Sequence, residues 1–220
     1  MAFSEDLQET IKDYIYGHLP NNDWYDKNFY TFIKDKLLRD RLIVEFKNAR
    51  VIYKIFEGLQ AKEELLLAQI KTQVIMYVSI QEAVINYVLF ELLKDKEPVQ
   101  ELLFQERTTQ IMIPNNKKLK LKNELIHDGK EIFTCYKEIK AVDKTKIRYD
   151  QKVEACSKLM LIDLPMKNDL IKLYQYRNTV HIEAELKKNP DYNLNMGSLA
   201  YRRVEGLSIQ LNENLKKFNK

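Results

Sequence analysis

Turn-forming residues are scarce in this chain, with five glycines and five prolines in 220 residues. So few breaks argue against a many-stranded sandwich, whose connections each need turn chemistry, and favour helices. Cysteine is scarcer still. Cys135 and Cys156 lie far apart and outside any CxxC or Cys/His ligand cluster, so no structural zinc site is encoded and the expectation is two buried, reduced thiols. The chain also lacks a Gly-rich phosphate loop, a GxSxG and an HExxH. Nucleotide hydrolysis of the P-loop kind, serine hydrolysis and zincin chemistry therefore have no sequence support.

A long uncharged run is missing as well. The most apolar stretch, residues 65–93, is interrupted by Lys71, Gln73, Gln81, Glu82, Asn86 and Glu91, and it reads as a buried helix rather than a membrane span. The opening segment MAFSEDLQETIKDY carries acids early, without the basic start and apolar stretch of a secretory signal. The expectation is a cytoplasmic protein with no membrane partner.

What the chain does have is 45% hydrophobic and 31% charged residues, enough to bury one substantial core, so residues 1–220 read as a single domain. The net charge of +4 tolerates nucleic acid as a partner without demanding it. Ser4, followed by Glu5 and Asp6, predicts a helix start, with acids where the helix dipole favours them, and Pro20-Asn21-Asn22 ends that helix. Asp23 is expected to cap the next. Apolar positions then recur at helical spacing over residues 24–56 (Phe29, Phe32, Ile33, Leu37, Leu42, Phe46), which predicts two helices or one bent one ending near Gly58.

Residues 62–94 predict one helix of about 33 residues, roughly 50 Å long. It is apolar on most sides, the mark of a central bundle member. Ser79, Glu82 and Asn86 share one of its faces, as a solvated strip or as polar groups turned toward a site. Between residues 98 and 145 the texture changes. Residues 108–114 and 117–126 alternate or are β-branched, and Asp128-Gly129 offers a turn before Glu131-Ile132-Phe133, so a small β or irregular insertion is expected at about 98–145. Helical spacing resumes over residues 149–161. A helix starting at Pro165 and running to about Leu186 follows, then Asn189-Pro190-Asp191, then a last helix over roughly 196–218. The fold class is mainly α.

Chemistry concentrates at Arg177-Asn178-Thr179-Val180-His181. On a continuous helix, residues four apart differ by about 40° around the axis, so Arg177 and His181 share a face, with Asn178 at its edge. They continue the stripe of Leu170, Leu173 and Tyr174. An imidazole can move protons at neutral pH, and a guanidinium one turn away can hold a phosphate through two hydrogen bonds. RNA brings its own nucleophile, the 2′-hydroxyl, so such a pair suits phosphodiester cleavage with no metal and no cofactor. The bland alternative is that Arg177 pairs with Glu183 or Asp169 while His181 is a satisfied interior histidine.

An RNxxH on a late helix, preceded by a long early helix carrying the segment from Gln73 to Tyr87, resembles the HEPN superfamily of helical-bundle proteins. The resemblance covers residues 62–93 and 169–218 and leaves out 98–145. It implies a HEPN-like bundle and a metal-independent endoribonuclease of a prokaryotic toxin–antitoxin or antiviral defence system. It also implies a homodimer in which Arg177, Asn178 and His181 of both copies converge on RNA, and an antitoxin or defence-system protein as a further partner. Three residues separate Arg177 from His181, where the family pattern has four to six. The second reading is accordingly a non-catalytic HEPN-like module that binds a partner protein or RNA.

Lys117, Lys118, Lys120 and Lys122 form the densest basic run. In a strand, Lys118, Lys120 and Lys122 would line one face, which fits either RNA phosphates or a lysine-protected edge. Arg202-Arg203 is a weaker basic spot. His18, at a helix C-terminus, suits the dipole, and His127 lies in a turn-like stretch.

Overall fold

The computed structural model describes residues 2–125, 129–130 and 133–218. It is mainly helical, with one two-stranded sheet. The chain forms two compact units, one of Met1–Lys94 with Arg148–Lys220 and the other of Asp95–Ile147.

In the first unit, α1 (Glu5–Tyr16) and α2 (Asn22–Asn28) lead into α3 (Lys36–Gly58) and α4 (Glu63–Tyr87). The helix of α4 widens into a π-turn over Val88–Leu92, where the Leu93 N–H reaches back to the Val88 carbonyl. After the second unit, α7 (Tyr149–Lys158), α8 (Leu164–Asn178), α9 (Ile182–Lys188) and α10 (Leu194–Asn214) complete the bundle, closed by a 3₁₀ turn over Leu215–Phe218. Asp and Asn side chains set most of the starts. Asp35, Asp163 and Asn193 accept N–H groups from Leu38, Met166 and Met196, the usual remedy for the orphan donors of a first turn. Two expected caps differ. Asn21, not Asp23, caps α2, because its Oδ1 accepts the Trp24 N–H at 2.9 Å, and the Ser4 hydroxyl makes no capping bond.

The centre is α4, packed against α3, α7, α8 and α10. Val74, Val78, Val84, Ile85, Val88 and Leu89 are sealed from solvent together with Phe46, Ala49, Leu170, Leu173, Ala200, Val204, Leu207 and Leu211. By length and composition alone α4 could cross a membrane, but most of its apolar stretch is buried inside this unit. The expected polar strip divides. Ser79 is exposed, Glu82 and Asn86 are half-buried, and the polar groups that enter the core are Gln69, Gln73 and Gln81. The Gln73 and Gln81 amides donate to the carbonyls of Ala49 and Ala200, at 3.4 and 3.1 Å, which ties α4 to α3 and α10.

The stretch over residues 24–56 is two helices, and its break has a tertiary cause. Tyr30 sits at φ +46°, where a right-handed helix cannot continue. It is held there by its N–H to Ser208 Oγ and its hydroxyl to the Val204 carbonyl, both at 2.9 Å. Of the two cysteines only Cys156 is buried, and Cys135 is exposed.

In the second unit, α5 (Glu97–Leu103) runs into β1 (Phe104–Gln110), which pairs antiparallel with β2 (Cys135–Ala141), Phe104 opposite Ala141 and Gln110 opposite Cys135. Between the strands, α6 (Asn115–Glu124) is a helix, where a β or irregular segment was expected. The alternation of lysine and leucine there buries no face, so it selects no sheet register, and a helix satisfies the backbone of an exposed segment locally. Asp128 of the expected turn at Asp128-Gly129, Glu131 and Ile132 of the segment after it, and His127 lie outside the described residues.

Two measurements check this packing. Leu207→Ala, at a fully buried position, should cost about 2–5 kcal/mol and lower the melting temperature by roughly 5–15 °C. The second is alkaline stability. Burial pushes the Cys156 thiol and the Tyr25 phenol up to about 12 and raises Tyr30, Tyr77 and Tyr149 further. These groups titrate at 9.0 (Cys) and 10.0 (Tyr) when unperturbed, so the unfolded chain releases their protons first. The stability they contribute is complete below those values and is lost as pH rises through the folded ones. Buried Lys152, its ammonium pKa lowered by burial, works the other way but is one group against five. The melting temperature should fall steadily from pH 9 upward, and a flat profile to pH 11 would contradict this core.

Candidate functional site

The helix α8 does not run through the Arg177 to His181 cluster. It ends at Asn178, the chain turns at Thr179 and Val180, and His181 takes up an extended conformation as the residue before α9. This corrects both the helix expected to reach Leu186 and the shared face of Arg177 and His181. The cause lies in Thr179. Its buried hydroxyl turns back onto the Tyr176 carbonyl at 2.7 Å and accepts from the Tyr192 hydroxyl at 2.9 Å, a side-chain hydrogen bond that competes with helix continuation.

Arg177 is half-buried in the last turn of α8. Its guanidinium donates to Asn178 Oδ1 at 3.2 Å and lies 5.7 Å from the centre of the Tyr174 ring, within cation–π range. Tyr174 in turn stacks on Tyr149 at 4.4 Å with 22° between the planes. One aromatic ring, itself backed by Tyr149, and one amide therefore hold the guanidinium, and among the described residues no carboxylate reaches it. Asp169 is taken by Arg203, whose Nε and Nη2 lie 2.7 and 2.6 Å from Asp169 Oδ2. His181 is exposed. Both halves of the bland alternative are thus absent, since Arg177 is not neutralised by Asp169 or Glu183 and His181 is not interior.

The turn is anchored from outside the motif. Lys71 on α4 reaches both carboxylate oxygens of Glu185 at 2.7 Å, pinning α9 to the central helix, and its ammonium sits 5.1 Å from the Tyr192 ring centre. Tyr192, bonded to Thr179, closes the arrangement. Sequence reasoning missed Lys71, Thr179, Glu185 and Tyr192 as supports. Lys71 and Glu185 are 114 positions apart, so no local spacing could pair them.

Beside the cluster lies a cleft of about 380 Å³, lined by Tyr174, Gln175 and Asn178 of α8, Arg148 and Tyr149 at the start of α7, and Lys188 at the end of α9. Asn178 belongs to both cluster and cleft. The remaining candidates fall elsewhere. Lys117, Lys118, Lys120 and Lys122 are all exposed on α6, where Lys118 and Lys122 share a face and Lys120 points away, so the single-faced row expected of a strand is not formed. Arg202 is exposed, and His18, just beyond α1, donates from Nδ1 to the Tyr14 carbonyl 2.6 Å away. Among the described residues, no three or more His, Cys, Asp or Glu come together as a metal site.

No known protein family, curated protein or solved structure matches this chain.

The support given by Lys71 is directly measurable. Lys71→Met should speed amide hydrogen exchange of residues 183–188 by about fivefold, on the order of 1 kcal/mol for a partly exposed pair, and leave residues 166–174 unchanged. Equal exchange in α9 of both proteins would mean that the ion pair anchors nothing.

Proposed function

We propose that this chain is a HEPN-like, metal-independent endoribonuclease of a prokaryotic defence or toxin system, acting as a homodimer that cleaves RNA at Arg177, Asn178 and His181. One observation carries the reading: Arg177 is held in place by Tyr174 and Asn178 yet has no carboxylate partner among the described residues, and His181, four positions along the chain, is exposed. A guanidinium held by a ring and a single amide oxygen has further N–H groups to give to a phosphate.

In this reaction the RNA 2′-oxygen attacks the adjacent phosphorus and the bond to the 5′-oxygen breaks, leaving a 2′,3′-cyclic phosphate and a free 5′-hydroxyl. A neutral imidazole takes the 2′-hydroxyl proton, and a protonated one supplies the proton to the departing 5′-oxygen. Each chain carries a single His181, so two copies supply the two roles. Arg177 counters the charge gathering on the phosphate oxygens, and Asn178 orients Arg177.

The second reading is a binding module without activity. The break between Arg177 and His181 favours it, because the two side chains are not locked to one rigid element.

The two are separated by incubating labelled single-stranded RNA in EDTA with wild type and with His181→Ala, with the mass of each protein followed by light scattering. Wild type should yield 2′,3′-cyclic ends, and the variant should lose about 10²–10⁴-fold in rate while staying dimeric. If neither protein cuts a broad panel of RNAs, the binding module replaces the enzyme.

A further inference from the structure

The cleft beside Asn178 has no role in the chemistry just described, and its composition is selective. Its long polar side chains are mostly donors. Lys188 is exposed, and Arg148 faces Asp150, with Nε and Nη2 at 3.0 and 2.7 Å from the two carboxylate oxygens, which cancels the one acid in the lining. Lys188 remains as the net positive charge. Asn178 has committed its Oδ1 to Arg177, so its Nδ2 has two N–H groups to give. Gln175, one turn of α8 before Thr179, presents an exposed amide with both a donor and an acceptor.

We infer that this cleft is a nucleotide subsite, holding one residue of a single-stranded RNA next to the phosphate engaged by Arg177. The inference rests on the ribonuclease reading for its substrate. Size is the first argument, since about 380 Å³ accommodates a single nucleotide at the lower end of the range of ligand pockets. Charge is the second: a lining with a surplus cation and several N–H donors suits a phosphodiester oxygen and the acceptor edge of a base. Continuity is the third. The Asn178 side chain bonds Arg177 and also lines the cleft, so a strand gripped by Arg177 passes its neighbouring nucleotide into reach of Gln175 and Lys188. Lys188 meets the backbone phosphate, and the Gln175 amide reads the base edge.

The test separates binding from cutting by using His181→Ala as the parent protein. Binding of a short 5′-labelled single-stranded RNA of mixed sequence is measured by fluorescence anisotropy across a salt series. Adding Lys188→Ala should weaken binding about three- to tenfold and flatten the salt dependence by about 0.7, the share of one single-strand phosphate contact. Lys187→Ala, an exposed lysine outside the cleft lining, should change affinity less than twofold. In the catalytically intact chain, Gln175→Ala should relax the base preference beside the cut. If RNA is cleaved but Lys188→Ala and Gln175→Ala behave as their parents, the subsite is overturned and the ribonuclease stands. If no RNA is cleaved but affinity depends on Lys188 and not on Lys187, the subsite stands and the enzyme falls.

Discussion

A helix that is apolar on most of its sides has little to offer to water, and α4 imposes that condition on its unit. Its burial requires several neighbours, and α3, α7, α8 and α10 supply them. Dense packing then makes polar intrusions expensive unless they are satisfied, which is why Gln73 and Gln81 reach backbone carbonyls on two different neighbours. It also sets how close those neighbours come. A Cβ at Gly197 of α10 would stand 3.3 Å from the Gln73 side chain, tighter than ordinary contact, so the absence of a side chain there belongs to the same fit.

The site lies at the edge of this packing. The apolar faces of α8 are spent on the core through Met166, Leu170 and Leu173, and the helix stops one turn later, where Thr179 and Tyr192 draw the chain aside. Arg177 therefore sits at the boundary between core and solvent. There its guanidinium lies within cation–π range of Tyr174, itself stacked on Tyr149. A carboxylate in that place would have given a stable ion pair and a closed site. The chain instead sends Asp169 to Arg203 and Glu185 to Lys71, which ties helices together.

Much of the helical framework was legible along the chain. The spacing of apolar residues marked α3, α4 and α7, the acids after Ser4 marked α1, and Pro165 marked the start of α8. The position of the small sheet was legible too, though its strands lie at Phe104–Gln110 and Cys135–Ala141 rather than where β-branched residues were densest. The lysine run was misread because alternation is informative only where one face is buried, and α6 buries neither. At the site, Arg177, Asn178 and His181 were visible as residue types, but their mutual geometry was not. Nor were Lys71, Glu185 and Tyr192, since their contacts join distant segments.

By itself the sequence determined that a mainly helical chain would gather around the segment from residue 62 to 94, because periodicity and the scarcity of glycine and proline act locally, within a few residues. Tertiary structure alone decided where helices stop without a breaker residue. Tyr30 is held in the left-handed region by Ser208 and Val204, some 174 to 178 positions away, and α8 ends at a threonine whose hydroxyl is shared with Tyr192. Helix termination at such points follows from hydrogen bonds that exist only once the segments have met. For that reason the face, exposure and partners of Arg177 and His181 belong to the folded chain and not to their spacing.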